Sequence, residues 1–429
     1  MIISPAFSGK RYAVLGLARS GLATVEALVA SGAEVTAWDI KEEARAAVAT
    51  KARIADPLEI DLAGYDGVVV SPGVPLNTHP IAAKAREAGV PVIGDIELFA
   101  QARPSLPPHK VVGITGTNGK STTTALVHHV LKTAGVPAEM GGNIGLPILA
   151  QDPLPEGGVY VLELSSYQID LTFSLDCDVA VLLNVTPDHL DRYEDFEAYV
   201  ASKLRLLDLQ ADRHPQIISR DSQPSFDEYE ERWSEDHHRV VGIGADEIKD
   251  QSRWPALQGP HNAENAAAAI AVCTALGLTG AQVEHGLRTY PGLPHRMERV
   301  ADRDGIIFVN DSKATNPDST APALAAFPHV HWIVGGRAKT HDLGPCADQL
   351  GHVRAAYTIG ESGPMFAGLL ADKVPVSECE LLTIAVSRAA DAAVAGEVVL
   401  LSPACASFDQ FRDYEARGDA FRAAVGALT

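Results

Sequence analysis

The chain has 429 residues and a formal net charge of −20 at pH 7, from 35 Lys and Arg against 55 Asp and Glu. That length allows about three domains of ~150 residues, each burying its own core, so a multidomain enzyme is expected. The acidic balance argues against a clustered basic surface for nucleic acid and requires anionic substrates to be met locally. The longest apolar run, Ala266 to Leu278, falls short of the roughly 18–20 residues of a membrane span. Met1 to Lys10 lacks the basic region, apolar core and small-residue cleavage site of a secretion signal, so a cytoplasmic protein is expected. Cys177, Cys273, Cys346, Cys379 and Cys405 are scattered and lack C-x-x-C spacing, which fits reduced core thiols.

Arg11 to Leu15 reads as a buried strand, Gly16 to Gly21 as a tight turn and Leu22 to Ala30 as a helix. A second strand, Glu34 to Trp38, ends at Asp39. This is a βαβ opening of Rossmann type, with an acid placed to hold a ribose hydroxyl. Ala18 replaces the middle glycine, while Arg19 and Ser20 offer phosphate a cation and a hydroxyl; a nucleotide other than NAD fits. The run Val68 to Val70 leads into Ser71-Pro72-Gly73, which is either a ligand loop at a strand end or only a sharp turn. Gln101 to Lys110 carries Pro104, Pro107 and Pro108 and reads as a stiff linker at a domain boundary.

The strand Val111 to Ile114 feeds Thr115-Gly116-Thr117-Asn118-Gly119-Lys120-Ser121-Thr122, and a helical pattern follows from Thr123. This is a phosphate loop in which small residues let backbone N–H groups wrap polyphosphate, Lys120 reaches the terminal phosphates and Ser121 holds Mg²⁺. Mg-ATP is the implied ligand. Ile114 stands where the strict pattern has glycine, so the loop is a variant; a glycine-rich turn that binds nothing is the competing reading. Further on, Val159 to Leu164 carries Glu163, Val179 to Leu183 leads to Asn184, and Thr186 to Arg192 forms a loop with His189. A helix from Phe196 to Leu209 carries Lys203. Alone, His189 is equally a surface histidine and Lys203 a solvated helix lysine.

Arg220 to Arg239 is dense in charge, shows little periodicity and reads as a peripheral insertion. Gly259 to Asn265 then opens an Ala-rich helix on which Asn262 and Asn265, three apart, either read a base or cap the helix. Tyr290 to Arg296 is a second proline-marked junction. In the last third, three strands (Gly305 to Val309, His331 to Val334 and Val398 to Leu401) run into the polar loops Asn310 to Asn316, Gly335 to Lys339 and Ser402 to Asp409. They read as binding loops converging at one sheet edge. The expected fold class is α/β with three domains: a Rossmann-like N-terminal domain over 1–105, a central P-loop ATPase-type domain with a parallel sheet over 106–296, and a C-terminal Rossmann-like α/β domain over 297–429.

The phosphate loop, Leu164-Ser165-Ser166-Tyr167-Gln168, Asp188 to Tyr193, Ser202-Lys203-Leu204-Arg205, His261-Asn262 and Asn310-Asp311-Ser312-Lys313 together resemble the Mur ligase family across all three domains. Gly94 to Phe99, Gly142 to Pro147 and Ser402 to Ser407 are most similar to the branch that adds D-glutamate. The Asp-Asn-Pro-Arg signature of diaminopimelate-adding members is absent. The resemblance implies an ATP-dependent ligase of peptidoglycan precursor synthesis, joining D-glutamate to UDP-N-acetylmuramoyl-L-alanine through an acyl phosphate. A related ligase with another amino acid is the alternative.

The resemblance also implies the site residues. Gly116, Thr117, Asn118, Gly119, Lys120, Ser121 and Thr122 with Asn262, Asn265, Arg296 and Asp311 would hold ATP. Ser121, Glu163, His189 and a CO₂-derived carbamate on Lys203 would hold two Mg²⁺ ions, with Lys120, Glu163, His189 and Lys203 carrying catalysis. Arg19, Ser20, Asp39, Ser71, Gly73 and Asn143 would hold the UDP-sugar, and Thr315, Lys339, Ser407, Phe408 and Tyr414 the D-glutamate; Tyr414 stands where the family often has Phe. A monomer acting on small molecules is expected. Two other classes remain open on the residues alone. A nicotinamide-dependent oxidoreductase would use Gly16 to Gly21 and Asp39 but leaves the phosphate loop unexplained, and an ATP-driven switch has no need of the three C-terminal loops.

Overall fold

A computed structural model describes residues 1–188 and 192–428, which form two compact units: Met1–Glu247 with Glu264–Gly286, and Ile248–Ala263 with Leu287–Thr429. His189, named above as a metal ligand, lies outside the described residues.

The first unit holds two parallel sheets. One comprises β1 (Arg11–Leu15), β2 (Glu34–Trp38), β3 (Arg53–Ile54), β4 (Gly67–Val70) and β5 (Val92–Ile93), in the order β3-β2-β1-β4-β5. The other comprises β6 (His109–Thr115), β7 (Ala138–Gly142), β8 (Gly158–Glu163), β9 (Val179–Leu182), β10 (Gln216–Ser219) and β11 (Val240–Ile243), in the order β11-β10-β9-β6-β8-β7. Strands such as Gly67–Val70 and Val179–Leu182 are buried at every position, as parallel strands covered on both faces must be. Their β-branched runs are what made them legible.

One hydrophobic cluster takes in residues of both sheets, from Tyr12 and Val69 to Tyr160 and Leu182. The helix Asp95–Ala102 supplies Phe99, whose ring meets Tyr160 edge-on at 5.1 Å between centroids. Buried Glu97 on this helix accepts from Phe173 N at 2.7 Å and from Ser174 N and Oγ at 2.9 and 2.8 Å. The proline-bearing stretch continues this packing: a 3-10 turn spans Arg103–Ser105 and Leu106 lies against the same cluster.

The reading of Arg220 to Arg239 as an aperiodic insertion is corrected. Gln223–Glu235 is a helix, the crossover between parallel strands β10 and β11. Its charges hid the period: Glu228 and Arg232 pair at i,i+4, Arg232 also meets Asp208, and Tyr229 packs against the core.

The second unit has one sheet: β12 (Glu298–Arg303), β13 (Ile306–Asn310), β14 (Val330–Gly335), β15 (Val353–Ile359), β16 (Val376–Glu380) and β17 (Val398–Leu401), in the order β12-β13-β17-β14-β15-β16. The edge strand β12 is antiparallel to β13, and the others are parallel. The sheet is therefore mixed, with hydrophobic clusters on its two faces. Adjacent strands β13, β17 and β14 carry the three polar loops, so these do gather at one edge.

Replacing Phe99 by Ala removes a ring from the cluster shared by two sheets and should cost about 3–5 kcal/mol. Chemical denaturation with hydrogen exchange resolved by sheet checks it: protection should fall in both sheets together, and loss confined to one would contradict a shared core.

Candidate active site

The phosphate loop begins where β6 ends and closes at Gly119, the N-cap of helix Lys120–Thr133. Gly116 has φ 145° and Gly119 φ 84°. A Cβ on Gly116 would lie 2.7 Å from Leu183 Cβ, and one on Gly119 2.2 Å from Asn265 Oδ1, so both positions require glycine. Asn184, just past β9, braces the loop: its carbonyl accepts from Thr117 N at 2.7 Å and its Oδ1 from Asn118 N at 3.0 Å. Lys120 Nζ donates to the carbonyls of Gly116 and Thr117 at 2.9 and 2.8 Å. Ser121 and Thr122 stand in the first turn of the helix, whose N–H groups form an anion-binding end.

Lys203 overturns its reading as a solvated helix lysine. It is 1% exposed, and its Nζ donates to the Gly116 carbonyl at 2.7 Å while lying 4.5 Å from the centre of the Tyr199 ring. Two lysines thus share one acceptor. Burial and then the Lys120 charge drive the Lys203 pKa well below the usual lysine range, against the opposing pull of Asp188 and Asp170. The helix Phe196–Asp208 is fixed by its Asp195 cap and by Ser202 Oγ, which donates to Asp170 at 2.7 Å.

Glu163 ends β8, opposite Ile114 of β6 and Gly142 of β7. Its Oε1 accepts from Asn143 Nδ2 at 2.9 Å, while its Oε2 is buried with no hydrogen-bond partner among the described residues. A buried carboxylate oxygen without a donor suits a hard divalent cation, so the residues present fit Mg²⁺. No group of three or more His, Cys, Asp or Glu among the described residues is arranged to hold a metal. Magnesium tolerates this, because it keeps water and phosphate oxygens as ligands.

At the first sheet, the loops after β1 and β4 meet: Ser71 Oγ donates to the Gly16 carbonyl at 2.8 Å. Asp39 accepts from Leu17 N at 2.6 Å and Lys41 N at 2.9 Å. Burial raises its pKa, but these donors with the charges of Lys41 and Arg45 outweigh that and hold it low. Arg19 donates to the Gly145 carbonyl at 2.7 Å, which brings it to the loop carrying Asn143. Ser20, Thr24 and Ser71 line a small hollow with Asp95, while Gly73 is exposed with open space around it. Asp95 is buried, its Oδ2 has no partner among the described residues, and burial pushes its pKa up to about 6.

The second unit has its own polar centre. Asp311 accepts from Ser402 Oγ at 2.8 Å and Met297 N at 3.1 Å, and burial raises its pKa to about 7. The loops after β14 and β17 are tied by a bridge in which Arg337 N donates to Ala406 O and Ala406 N to Arg337 O, at 2.9 and 3.0 Å. Beneath them Arg417, 1% exposed, donates to Ser312 O and Cys405 O at 2.8 and 2.9 Å and to Ser312 Oγ at 3.0 Å. Burial lowers its pKa to about 10. On these loops Ser407 is buried, Thr315 half-buried, and Lys339 and Phe408 exposed, while the Tyr414 hydroxyl accepts from Lys313 at 3.2 Å. Asn262 donates to Gln258 O at 3.0 Å and lines a pocket of about 390 Å³ with Met297, Ile307, Val309 and Phe327. Arg296 is half-buried, and its charge, after burial, helps hold the His261 pKa down at about 4.

The structure therefore gathers the phosphate loop, Glu163, Lys203, Asn143 and Asn265 in the first unit, and Asn262, Arg296, Asp311 and the C-terminal loop residues in the second. Asn265 accepts from Thr123 Oγ1 at 3.0 Å and so touches the phosphate loop's helix. Sequence reasoning missed Asn184 as a brace, Asp95, Glu264 and Arg417. Asp95 sat in a quoted motif, whereas nothing in the spacing of Arg417 marked it as buried.

A strand-to-helix phosphate loop with an acid on the neighbouring strand defines a nucleoside-triphosphate-using enzyme. Three family descriptions match in chain order: Mur ligase MurD-like, N-terminal domain, at residues 10–94; Mur ligase middle domain at 114–258; and Mur ligase, glutamate ligase domain, at 295–405. This chain belongs to the Mur ligase family, whose members are ATP-dependent ligases. It is 62% identical over 429 residues to the UDP-N-acetylmuramoylalanine–D-glutamate ligase of Novosphingobium aromaticivorans, covering all of this chain and 97% of that one. It is 63% identical over 436 residues to the enzyme of the same name from Sphingopyxis alaskensis, covering both in full. Among solved structures, a UDP-N-acetylmuramate–alanine ligase from Thermotoga maritima shares the fold at 18% identity with a TM-score of 0.58, over 97% of this chain and 99% of that one. All five cysteines are free and buried, and no helix among the described residues is long and apolar enough to cross a membrane.

Asp95 gives a signed pH dependence. Its folded-state pKa, about 6, lies above the ordinary aspartate value of 3.8, so its stabilising contribution is full below the unfolded pKa and is lost as pH rises through 6. Relative to wild type, Asp95→Asn should gain on the order of 1 kcal/mol of stability between pH 5 and pH 8. Urea denaturation at the two pH values measures this, and an unchanged difference would place the Asp95 pKa outside that window.

Proposed function

We propose that this chain is a UDP-N-acetylmuramoylalanine–D-glutamate ligase, acting in the cytoplasm as a monomer in peptidoglycan precursor synthesis. The observation that carries the reading is the meeting of Lys120 and Lys203 on one phosphate-loop carbonyl beside a buried Glu163 with an unpartnered oxygen, in a chain that aligns end to end with relatives of that name. The alanyl carboxylate of the UDP-sugar attacks the γ-phosphorus of ATP, giving an acyl phosphate and ADP. The amine of D-glutamate then attacks the acyl carbon, forming the amide and releasing phosphate and a proton.

Phosphoryl transfer is chiefly positioning and charge neutralisation. In this reading Lys120 leaves its two carbonyls for the terminal phosphates, and the loop and helix N–H groups hold the rest. Bound Mg²⁺ would neutralise charge on the phosphate oxygens; Ser121 and Glu163 would hold one ion, His189 and a modified Lys203 the other. The depressed Lys203 pKa favours the neutral amine, which adds to CO₂ to give a carbamate and a proton. That exchanges a cation for a hard oxygen donor. By the family resemblance, Asn262 and Asn265 would meet adenine, and Arg296 and Asp311 the phosphates and ribose. Arg19, Ser20, Asp39, Ser71, Gly73 and Asn143 receive the UDP-sugar, supported by the meeting of their loops. Thr315, Lys339, Ser407, Phe408 and Tyr414 receive the amino acid. The division at 1–105, 106–296 and 297–429 is the matching domain proposal.

Assaying phosphate release with each substrate omitted in turn tests the reading: turnover should require ATP, the UDP-sugar and D-glutamate together, and turnover without the amino acid would refute it. Lys120→Ala should lower kcat by about a hundredfold or more, measured under saturating ATP. Lys203→Ala should be comparably impaired yet folded, and partly restored by added acetate, whose carboxylate fits the vacated space; Lys203→Arg should resist rescue, because its fixed cation still fills it. Near-normal turnover of Lys203→Ala in CO₂-depleted buffer would rule out the carbamate.

A further inference from the structure

We infer that Glu264 is a positioning residue for the phosphate loop and acts through Asn184. The inference rests on that loop being the nucleotide site. Glu264 is buried on helix Pro260–Ala275, where its Oε2 accepts from Asn184 Nδ2 at 2.9 Å and its Oε1 from Ser219 Oγ at 2.6 Å. Ser219 in turn accepts from Asp221 N at 3.2 Å, so its single hydroxyl proton is committed to Glu264.

The two ends of an amide have nearly the same shape and are distinguished only by their partners. An ionised carboxylate accepts and never donates, so Glu264 selects the NH₂ end of Asn184 and turns its Oδ1 toward Asn118 N. With the amide reversed, an NH₂ would face the Asn118 N–H and a carbonyl oxygen would face a carboxylate. Both contacts are repulsive, and the loop would lose its brace. The neighbouring residue works on the other end: Asn265 accepts from Thr123 Oγ1 and sits against Gly119. Consecutive residues of one helix therefore hold the loop at Asn118, through Asn184, and at Gly119 to Thr123 directly.

Steady-state kinetics of the full chain, with melting temperatures, test this. Glu264→Leu should raise the KM for ATP about tenfold while the KM for D-glutamate stays within about twofold. Glu264→Gln should stay within about threefold of wild type for ATP, because its carbonyl still accepts from Asn184. Asn184→Asp puts two carboxylates together and should be impaired. Combining it with Glu264→Gln should restore the KM for ATP, since the new amide donates to Asp and accepts from Ser219. This reciprocal rescue applies even if Glu264→Leu does not fold. Absence of rescue in a folded double variant, or equal effects on both KM values, would overturn the inference. If wild-type turnover proves independent of ATP, the nucleotide reading itself fails; an unchanged KM for ATP in Glu264→Leu beside an inactive Lys120→Ala sinks only the role of Glu264.

Discussion

The Gly116 carbonyl is the point on which the first unit's chemistry turns, because two ammonium groups, Lys120 and Lys203, donate to it at 2.9 and 2.7 Å. Like charges this close, one of them buried, repel strongly in a medium of low effective dielectric. The conflict is eased by lowering the Lys203 pKa. Around that carbonyl everything else is over-determined. Gly116 cannot carry a side chain, Thr117 is fixed by Asn184, and the Lys203 helix is pinned by Asp195 and Asp170.

The parallel sheet explains why these groups meet at all. Strands β9, β6, β8 and β7 are consecutive neighbours, so their C-terminal ends deliver Asn184, the phosphate loop, Glu163 and Asn143 side by side. None of these side chains has to reach far, because strand register sets their separation: Ile114 pairs with Glu163, and Gly142 with Glu163 on the other side. The same principle orders the second unit, where β13, β17 and β14 deliver three polar loops to one edge.

What the sequence made legible were features written in local spacing. The phosphate loop is one, since glycines, lysine and hydroxyl fall at fixed offsets after a β-branched run. Burial that depends on distant partners was not legible: Lys203 looks like any helix lysine until Gly116, 87 positions away, is brought to it. Charge density misled at Gln223–Glu235, where i,i+4 pairing of Glu228 and Arg232 supports a helix that apolar periodicity alone does not announce. The antiparallel strand β12 was missed although Asp304-Gly305, with φ of 50° and 80°, is a hairpin signal. The charged residues of Glu298–Arg303 obscured the alternation on which a strand reading depends. His189 fell within the motif read from sequence but outside the described residues.

The two buried cations show why residue type matters more than charge. Lys203 and Arg417 are each 1% exposed, and both donate to backbone carbonyls. Carbonyl dipoles satisfy donors without cancelling their charge, as a carboxylate would. A lysine answers such desolvation through its pKa, and burial with the Lys120 charge drives that of Lys203 well below the usual lysine range. An arginine responds far less: burial lowers the Arg417 pKa only to about 10, so near neutral pH it remains a cation. It is therefore a fixed positive pole held by Ser312 and Cys405, on the loops after β13 and β17, in a chain of net charge −20. Exchanging the two residue types would leave a permanent charge where a lysine can shed one, and a group that yields to desolvation where an arginine keeps its charge.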